Sequence, residues 1–348
     1  MRKRIDYFDY LRIFATYAVV VLHIAAENFN YVDINTFRWQ ALNLYDGISR
    51  WAVPVFVMMS GALFLDGKGK GIRIMYKKYI FRIVIAFCFW SLVYSFIEKA
   101  VYEETWSEFF LEFLSGHYHM WFLFMIVGLY MMVPLLRKII EDEKLVLYLL
   151  ILFVGCVAII PFIIIIISLF DNEIASVLKQ VLVHTRTPFN MEYVGYFVLG
   201  YYLNNVQIDS KKKRWTIYGM GLVGFVATVL LTAVGSQIKG MAIAEFYKNL
   251  NINVLLEAMA IFVFVRYNLN KLPENKVMKK LVQVLSKYSF GAYLIHIIIV
   301  EDWSRHGFTA LSFQPWISIP VLSVAVFLLS YVVAIILSKI PVLGEYIV

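Results

Sequence analysis

The 348 residues are 61% hydrophobic and 16% charged, with a formal net charge of +8 and a mean hydropathy of +0.73. A soluble domain is about half apolar and a quarter charged, so this composition excludes an ordinary soluble enzyme. The dispersal of the basic residues along the chain excludes a nucleic-acid-binding patch. Cys88 and Cys156 both lie inside apolar runs, so neither a disulfide framework nor a metal site is expected.

Apolar runs near twenty residues recur along the whole length. Spans are predicted at 8–29, 47–66, 79–98, 118–136, 145–168, 190–204, 214–234, 250–266, 283–301 and 316–338. At about 1.5 Å per residue such a run crosses a hydrocarbon core of about 30 Å as a helix. Lipid leaves no partner for open backbone groups, and these runs lack the alternation of barrel strands. The first run follows Arg2, Lys3 and Arg4, as a signal peptide would. It carries Asp9, Arg12, His23 and Glu27, however, and lacks a small-residue cleavage site. The fifth is interrupted by Pro161 and the sixth is short. No polar stretch is long enough for an appended soluble domain. The chain therefore reads as one all-α integral membrane domain, 1–348, a polytopic bundle of about ten spans. No internal repeat stands out, which weighs against transporter folds built from duplicated halves.

Lys and Arg set the orientation. With the N-terminus inside, 21 of them fall in inner loops and 8 in outer ones, and the bias alternates loop by loop. Lys68, Lys70, Arg73, Lys77 and Lys78 form one inner cluster and Lys211 to Arg214 another. The loop 99–117, with Glu103, Glu104, Glu108 and Glu112, falls outside. An even number of spans then places both termini in the cytoplasm and the protein in the cytoplasmic (inner) membrane.

Ionisable residues inside a membrane are costly and commonly functional. At 100° per residue, Arg12 and His23 differ by about 20° around the first helix. Asp9, Thr16 and Glu27 fall on the same face. The functional reading is a hydrated groove with a cation for phosphate at its inner end. At its outer end, His23 can act as general base with Glu27 one turn away to orient it. The structural alternative is that Arg12 snorkels, Asp9 pairs with it and His23 hydrogen-bonds across a helix interface.

Five segments now carry a resemblance. Asp9-Tyr10-Leu11-Arg12, ten further residues and His23 resemble the first-helix signature of the acyltransferase-3 family of membrane acyltransferases. Val53-Pro54-Val55-Phe56 with Ser60-Gly61, then His119-Met120-Trp121-Phe122-Leu123 with Tyr130 and Pro134, resemble its next two segments. Gly195-Tyr196-Phe197 to Gly200-Tyr201-Tyr202, and Ser289-Phe290-Gly291-Ala292-Tyr293-Leu294-Ile295-His296, are similar to its later ones. The five stand in order over most of the chain. The resemblance implies about ten helices and transfer of an acyl group, commonly acetyl, from cytoplasmic acyl-CoA to a carbohydrate hydroxyl. It implies a catalytic role for His23 and a donor-binding role for Arg12. The family's Arg-x-x-Arg pair at the third helix is only half present, since Tyr79 stands where the first Arg belongs and Arg82 keeps the second. Lys78, four residues before Arg82, is the candidate substitute.

Physics and resemblance meet in a phosphate cluster of Arg12, Lys78 and Arg82 with Asp9 beside it. Acyl-CoA is then a donor substrate, and no permanently bound cofactor is expected. An acyl-histidine intermediate stays open. Oxyanion donors could come from Tyr293, Ser60 or Trp121. Ser286, Ser289, Tyr293 and His296 share a face of the ninth span and are either cavity lining or helix glue. His119 and Trp121 stand at the outer end of the fourth span, where interfacial Trp is also a common anchor. Asn253 and Glu257, one turn apart, are expected to line a cavity. Glu192 and Arg186 are candidates to touch an acceptor. His117, His184 and His306 read as loop residues. The rival function is a transporter or flippase for a lipid-linked sugar or small anion, with the polar face as its path. Neither the acceptor nor the oligomeric state is legible.

Overall fold

In a bilayer the backbone must satisfy its own hydrogen bonds, which leaves helices as the economical answer for runs without alternation. The computed structural model describes residues 5–66, 71–103, 105–185, 192–271 and 273–348. The expectations attached to Arg2, Lys3, Arg4, Lys68, Lys70, Glu104 and Arg186 lie outside the described residues. The chain is 82% helical, and no strand occurs among the described residues. The order is α1 (Asp6–Glu27), α2 (Phe37–Gly47), α3 (Ala52–Phe64), then α4 (Ile72–Ile74), which runs through a π-helical stretch (Met75–Ile80) into α5 (Phe81–Tyr102). There follow α6 (Trp106–Ser115), a 3-10 turn (Tyr118–Met120), α7 (Trp121–Ile139), α8 (Glu143–Leu152), a second π-helical stretch (Phe153–Ile159) and α9 (Ile160–Phe170). The remainder is α10 (Asn172–Thr185), α11 (Glu192–Asn205), α12 (Lys211–Lys239), a 3-10 turn (Glu245–Tyr247), α13 (Ile252–Asn268), α14 (Lys276–Arg305), α15 (Pro315–Leu337) and α16 (Gly344–Ile347).

Among the described residues, nine stretches are long and apolar enough to cross a membrane: Asp6–Glu27, Phe37–Phe64, Ile72–Tyr102, Trp106–Ile139, Glu143–Phe170, Lys211–Lys239, Glu245–Asn268, Lys276–Arg305 and Pro315–Leu337. They coincide with nine of the ten predicted spans. The predicted sixth is α11, whose 14 residues rise only about 21 Å. It is central all the same, since every residue from Val194 to Gly200 is buried. Glycines allow that. A Cβ on Gly61 of α3 would lie 1.7 Å from Phe197 O, and one on Gly200 would lie 2.0 Å from Met58 O. The two backbones touch because neither position carries a side chain, the usual device of helix contact in lipid.

Pro161 interrupts the fifth span as expected. It sits in the first turn of α9, and the π-helical stretch just before it absorbs the hydrogen bond that proline cannot make. Helix α1 packs against α2, α3, α13, α14 and α15 and so occupies the interior. Helix α12 turns Leu222, Val223, Val226 and Leu230 outward, as a lipid-facing helix does. The start of α1 and the end of α15 lie at the same end of the bundle. Ser286 on α14 bonds Asp9, and two residues on, Tyr288 is bonded by Ser338, which closes α15.

Candidate active site

The polar face of α1 divides into two unequal parts. At its start, Ser286 Oγ donates to Asp9 Oδ1 at 2.6 Å. Arg12 Nη1 donates to the same Ser286 Oγ at 3.3 Å and lies 3.6 Å from Asp9 Oδ1. Asp9 is fully buried, while a third of the Arg12 side chain stays exposed. The buried carboxylate thus fixes the guanidinium without covering it. Arg12 and Arg82 together line a vestibule of about 540 Å³ and, beyond it, an inner cavity of about 310 Å³. Arg82 also donates to Val348 O at 2.5 Å and lies over the Phe290 ring.

Lys78 does not join this pair. It is exposed, with Nζ 5.9 Å from the Tyr79 ring centre. A four-residue spacing puts two side chains on one face only in an α-helix, and Met75–Ile80 is π-helical, which shifts the face. Tyr79 lines the inner cavity and packs edge-on against Phe64 at 4.8 Å. An aromatic wall therefore stands where the resemblance expects a cation.

Away from Arg12, Arg82 and Tyr79 the inner cavity is mostly apolar, walled by Val19, Phe56, Phe122, Leu123 and Ile126, with Ser60, Tyr130, Ser289 and Tyr293 as further polar points. The Tyr293 hydroxyl donates to His119 O at 2.5 Å. That proton is committed, so Tyr293 supplies shape rather than an oxyanion donor. Ser289 likewise donates within its own helix, to Ser286 O.

At the far end of α1, one turn beyond Val19, the part-buried His23 ring meets His296 at 5.2 Å and Tyr118 at 5.7 Å between ring centres. His296 is fully buried. Its Nδ1 lies 2.5 Å from Tyr293 O, a carbonyl that can only accept, so Nδ1 carries the proton. In the neutral ring Nε2 is then a bare lone pair, and it has no hydrogen-bond partner among the described residues. His119 follows at 5.7 Å from His296, and its Nδ1 is 3.0 Å from Nδ1 of His117. His117 Nε2 ends the chain between Glu301 at 3.2 Å and Glu98 at 3.5 Å.

A second and larger cavity, about 730 Å³, lies at this end. Trp121, Arg50, Glu192, Tyr193, Tyr247 and Asn249 are among its walls. Trp121 faces it while its neighbour Phe122 faces the inner cavity, and Arg50 faces it while Val53 faces the inner one. The first turn of α7 and the α2–α3 corner are thus the partition between the two spaces.

Comparison with known families supplies the remaining observation. The family model described as "Acyltransferase domain" matches residues 5–335, nearly the whole chain. The chain belongs to the acyltransferase-3 family. No curated protein and no solved structure matches it. As a member of this family and a bundle of membrane helices, it is a membrane acyltransferase.

Not every residue singled out in the sequence comes to this acyltransferase centre. Thr16 is buried and donates to Arg12 O in its own helix. Glu27 lies beside Ser304 of α14, and no ion pair joins it to His23 among the described residues. Glu257, expected to line a cavity, instead faces α12. It is fully buried and hydrogen-bonded to Thr228, to which Asn253 Nδ2 also donates at 2.7 Å. The neighbouring helix bonds one oxygen of this carboxyl, while Oε2 is buried with no hydrogen-bond partner among the described residues. Glu98, His117 and Glu301 were missed, and their ligand-type atoms lie within 4.8 Å of one another. His117 is in a loop, as expected, but only 10% of its side chain is exposed, and it stacks on Tyr94 at 4.4 Å. The one local sign was the His117-x-His119 pairing beside Trp121.

Proposed function

We propose that the protein transfers an acyl group, acetyl in the simplest case, from cytoplasmic acyl-CoA to a hydroxyl of a surface or lipid-linked carbohydrate. The observation that carries this reading is the pair of cavities lined on either side of Arg50–Val53 and Trp121–Phe122, with the His23–His296 pair, which lines neither, joined to the inner one through Tyr293, whose ring is 5.8 Å from that of His296. In this reading the end of the bundle bearing Arg12 faces the cytoplasm, as the distribution of Lys and Arg favours, and both termini are cytoplasmic. The host membrane is then the inner one.

The donor enters at the vestibule. Arg12 and Arg82 hold its phosphates, since a guanidinium pairs two N–H groups with an anion. The inner cavity takes the narrow pantetheine arm along an apolar wall. Arg12 and His23 are about 16 Å apart along the helix, a span for an extended arm. The acceptor hydroxyl comes from the larger cavity. His23 removes its proton as the oxygen attacks the thioester carbonyl. The C–O bond forms, the C–S bond breaks, and the proton passes from His23 to the departing thiolate. His296, with its lone pair turned into the interior, supports the protonated His23.

Purified protein in detergent with labelled acetyl-CoA tests the reading. Release of free CoA, faster than in a His23→Ala preparation, is expected. Absence of both turnover and acyl-CoA binding by calorimetry would discard it. Mass spectrometry of surface glycans with and without the gene then identifies the acceptor by its lost acyl mass.

A further inference from the structure

Glu98, His117 and Glu301 line none of the three cavities and take no part in the proposed transfer. They come from α5, from the residue before the 3-10 turn and from the last turns of α14. Only 14%, 10% and 27% of their side chains are exposed. Two carboxylates held close together with little water repel each other unless a positive charge lies between them. No lysine or arginine pairs with Glu301 among the described residues.

A proton on His117 or a bound cation would supply that charge, and the geometry separates the two. A protonated ring would aim its Nε2–H along a line to one oxygen. Among the described residues His117 hydrogen-bonds only through Nδ1. Its Nε2 stands 3.2 Å from Glu301 Oε1 and 3.5 Å from Glu98 Oε1, without hydrogen-bond geometry to either. Around a tetrahedral metal ion with ligands at about 2.1 Å, neighbouring ligand atoms are about 3.4 Å apart. Both nitrogen–oxygen distances fall beside that value. The three ligand-type atoms lie within 4.8 Å of one another, a gap that rotation of the part-exposed carboxylates closes.

His117 is also held as a ligand from its other side. Its Nδ1 lies 3.0 Å from Nδ1 of His119, a residue only 3% exposed. One proton serves that contact. Placed on His117, it leaves Nε2 as a lone pair turned towards the two carboxylates. A metal-bound imidazole is oriented by such a partner on its second nitrogen. Stacking on Tyr94 at 4.4 Å fixes the plane of the ring. We infer that Glu98, His117 and Glu301 bind one divalent transition-metal ion, of which zinc is the type. One imidazole and two carboxylates suit zinc, whereas calcium and magnesium take oxygen ligands. Three protein ligands leave a fourth position for water. The ion ties α5, the turn that bears His119 and α14 together at one end of the bundle. This goes beyond the proposed acyl transfer and does not depend on it.

The test is calorimetric titration of purified full-length protein in detergent, stripped of metal with EDTA and dialysed. The probe is zinc chloride, compared with magnesium chloride. The expected result is one zinc ion per chain with a Kd of about 1 µM or tighter, and magnesium weaker by about tenfold or more. Glu301→Gln, which keeps the size of the side chain, should weaken zinc binding about tenfold or more, and so should His117→Asn. His184→Asn/His306→Asn, altered at exposed histidines outside the cluster, should bind as the unaltered protein does. Cobalt(II) in place of zinc should show the visible absorption of a four-coordinate ion and lose it in His117→Asn. Size-exclusion profiles separate a lost site from a lost fold, and if His117→Asn is not recovered folded, Glu301→Gln decides. Unchanged zinc affinity in a folded Glu301→Gln variant would overturn the site, as would binding lost in the His184→Asn/His306→Asn pair. Equal magnesium affinity would reduce it to an acidic surface. No stoichiometric binding at all would assign the charge between the carboxylates to a proton on His117 and discard the metal.

Discussion

The rings of His23 and His296, 273 positions apart in the chain, lie 5.2 Å from centre to centre inside the bundle. His296 holds its Nδ1 proton against Tyr293 O, and its other nitrogen faces the interior with no partner among the described residues. A neutral imidazole fixed in this tautomer can receive a proton or a hydrogen bond but cannot donate one from that atom. The pair is therefore directional, with His23 the less fully buried member.

His23→Ala should reduce acyl transfer by about a hundredfold or more, the usual contribution of a positioned base. The protein should remain monodisperse, because the ring fills no closed core. His296→Asn should cost less, roughly tenfold, as a group acting through His23 does. Free CoA release and size-exclusion profiles check both. Full activity in His23→Ala would remove it from the chemistry.

Arg12→Ala should raise the KM for acyl-CoA by roughly tenfold, one charge-assisted contact's worth, with a smaller change in kcat. Ser286→Ala should raise it by a lesser factor, since Ser286 only orients the guanidinium. Titration of initial rate against donor concentration reads both. An unchanged donor affinity in Arg12→Ala would place the phosphates elsewhere.

Glu257 serves the contact between α12 and α13. Glu257→Ala should destabilise the protein by about 1–3 kcal/mol by removing the buried acceptor of the Thr228 hydroxyl and leaving its space empty. Glu257→Gln should retain most of that stability. Thermal unfolding in detergent separates the two. A Gln variant of normal stability that had lost all transfer would argue for a chemical role instead.

Gly61→Val should prevent recovery of folded protein, because its Cβ would enter the Phe197 carbonyl. Gly128→Ala, where nothing lies within 4 Å of the added Cβ, is the control. Fluorescence-detected size exclusion compares them, and a normal profile for Gly61→Val would contradict the close α3–α11 contact.

Orientation has a direct assay. In a cysteine-free background, Tyr31→Cys, at a position 85% exposed, should react with an impermeant maleimide in intact cells. Val277→Cys, at a position 75% exposed at the other end of the bundle, should react only after lysis. The reverse pattern would invert the assigned topology.

The sequence alone determined what the bilayer enforces. Hydropathy placed nine spans where helices stand, because a run that cannot pay for exposed backbone in lipid has no other way to fold. Helical periodicity correctly aligned Arg12 with His23, a relation set by one local geometry. Pro161 marked its break for the same local reason. Tertiary structure alone decided which groups meet. Glu98, His117 and Glu301 come from three separate segments, and nothing in their spacing announces the contact. Glu257 turned to α12 and Glu27 to Ser304, because the partner of a buried polar group is chosen by whichever helix packs beside it. Lys78 left the face of Arg82 because the helix widened into a π-turn, a change of register that an assumed α-helical period does not contain.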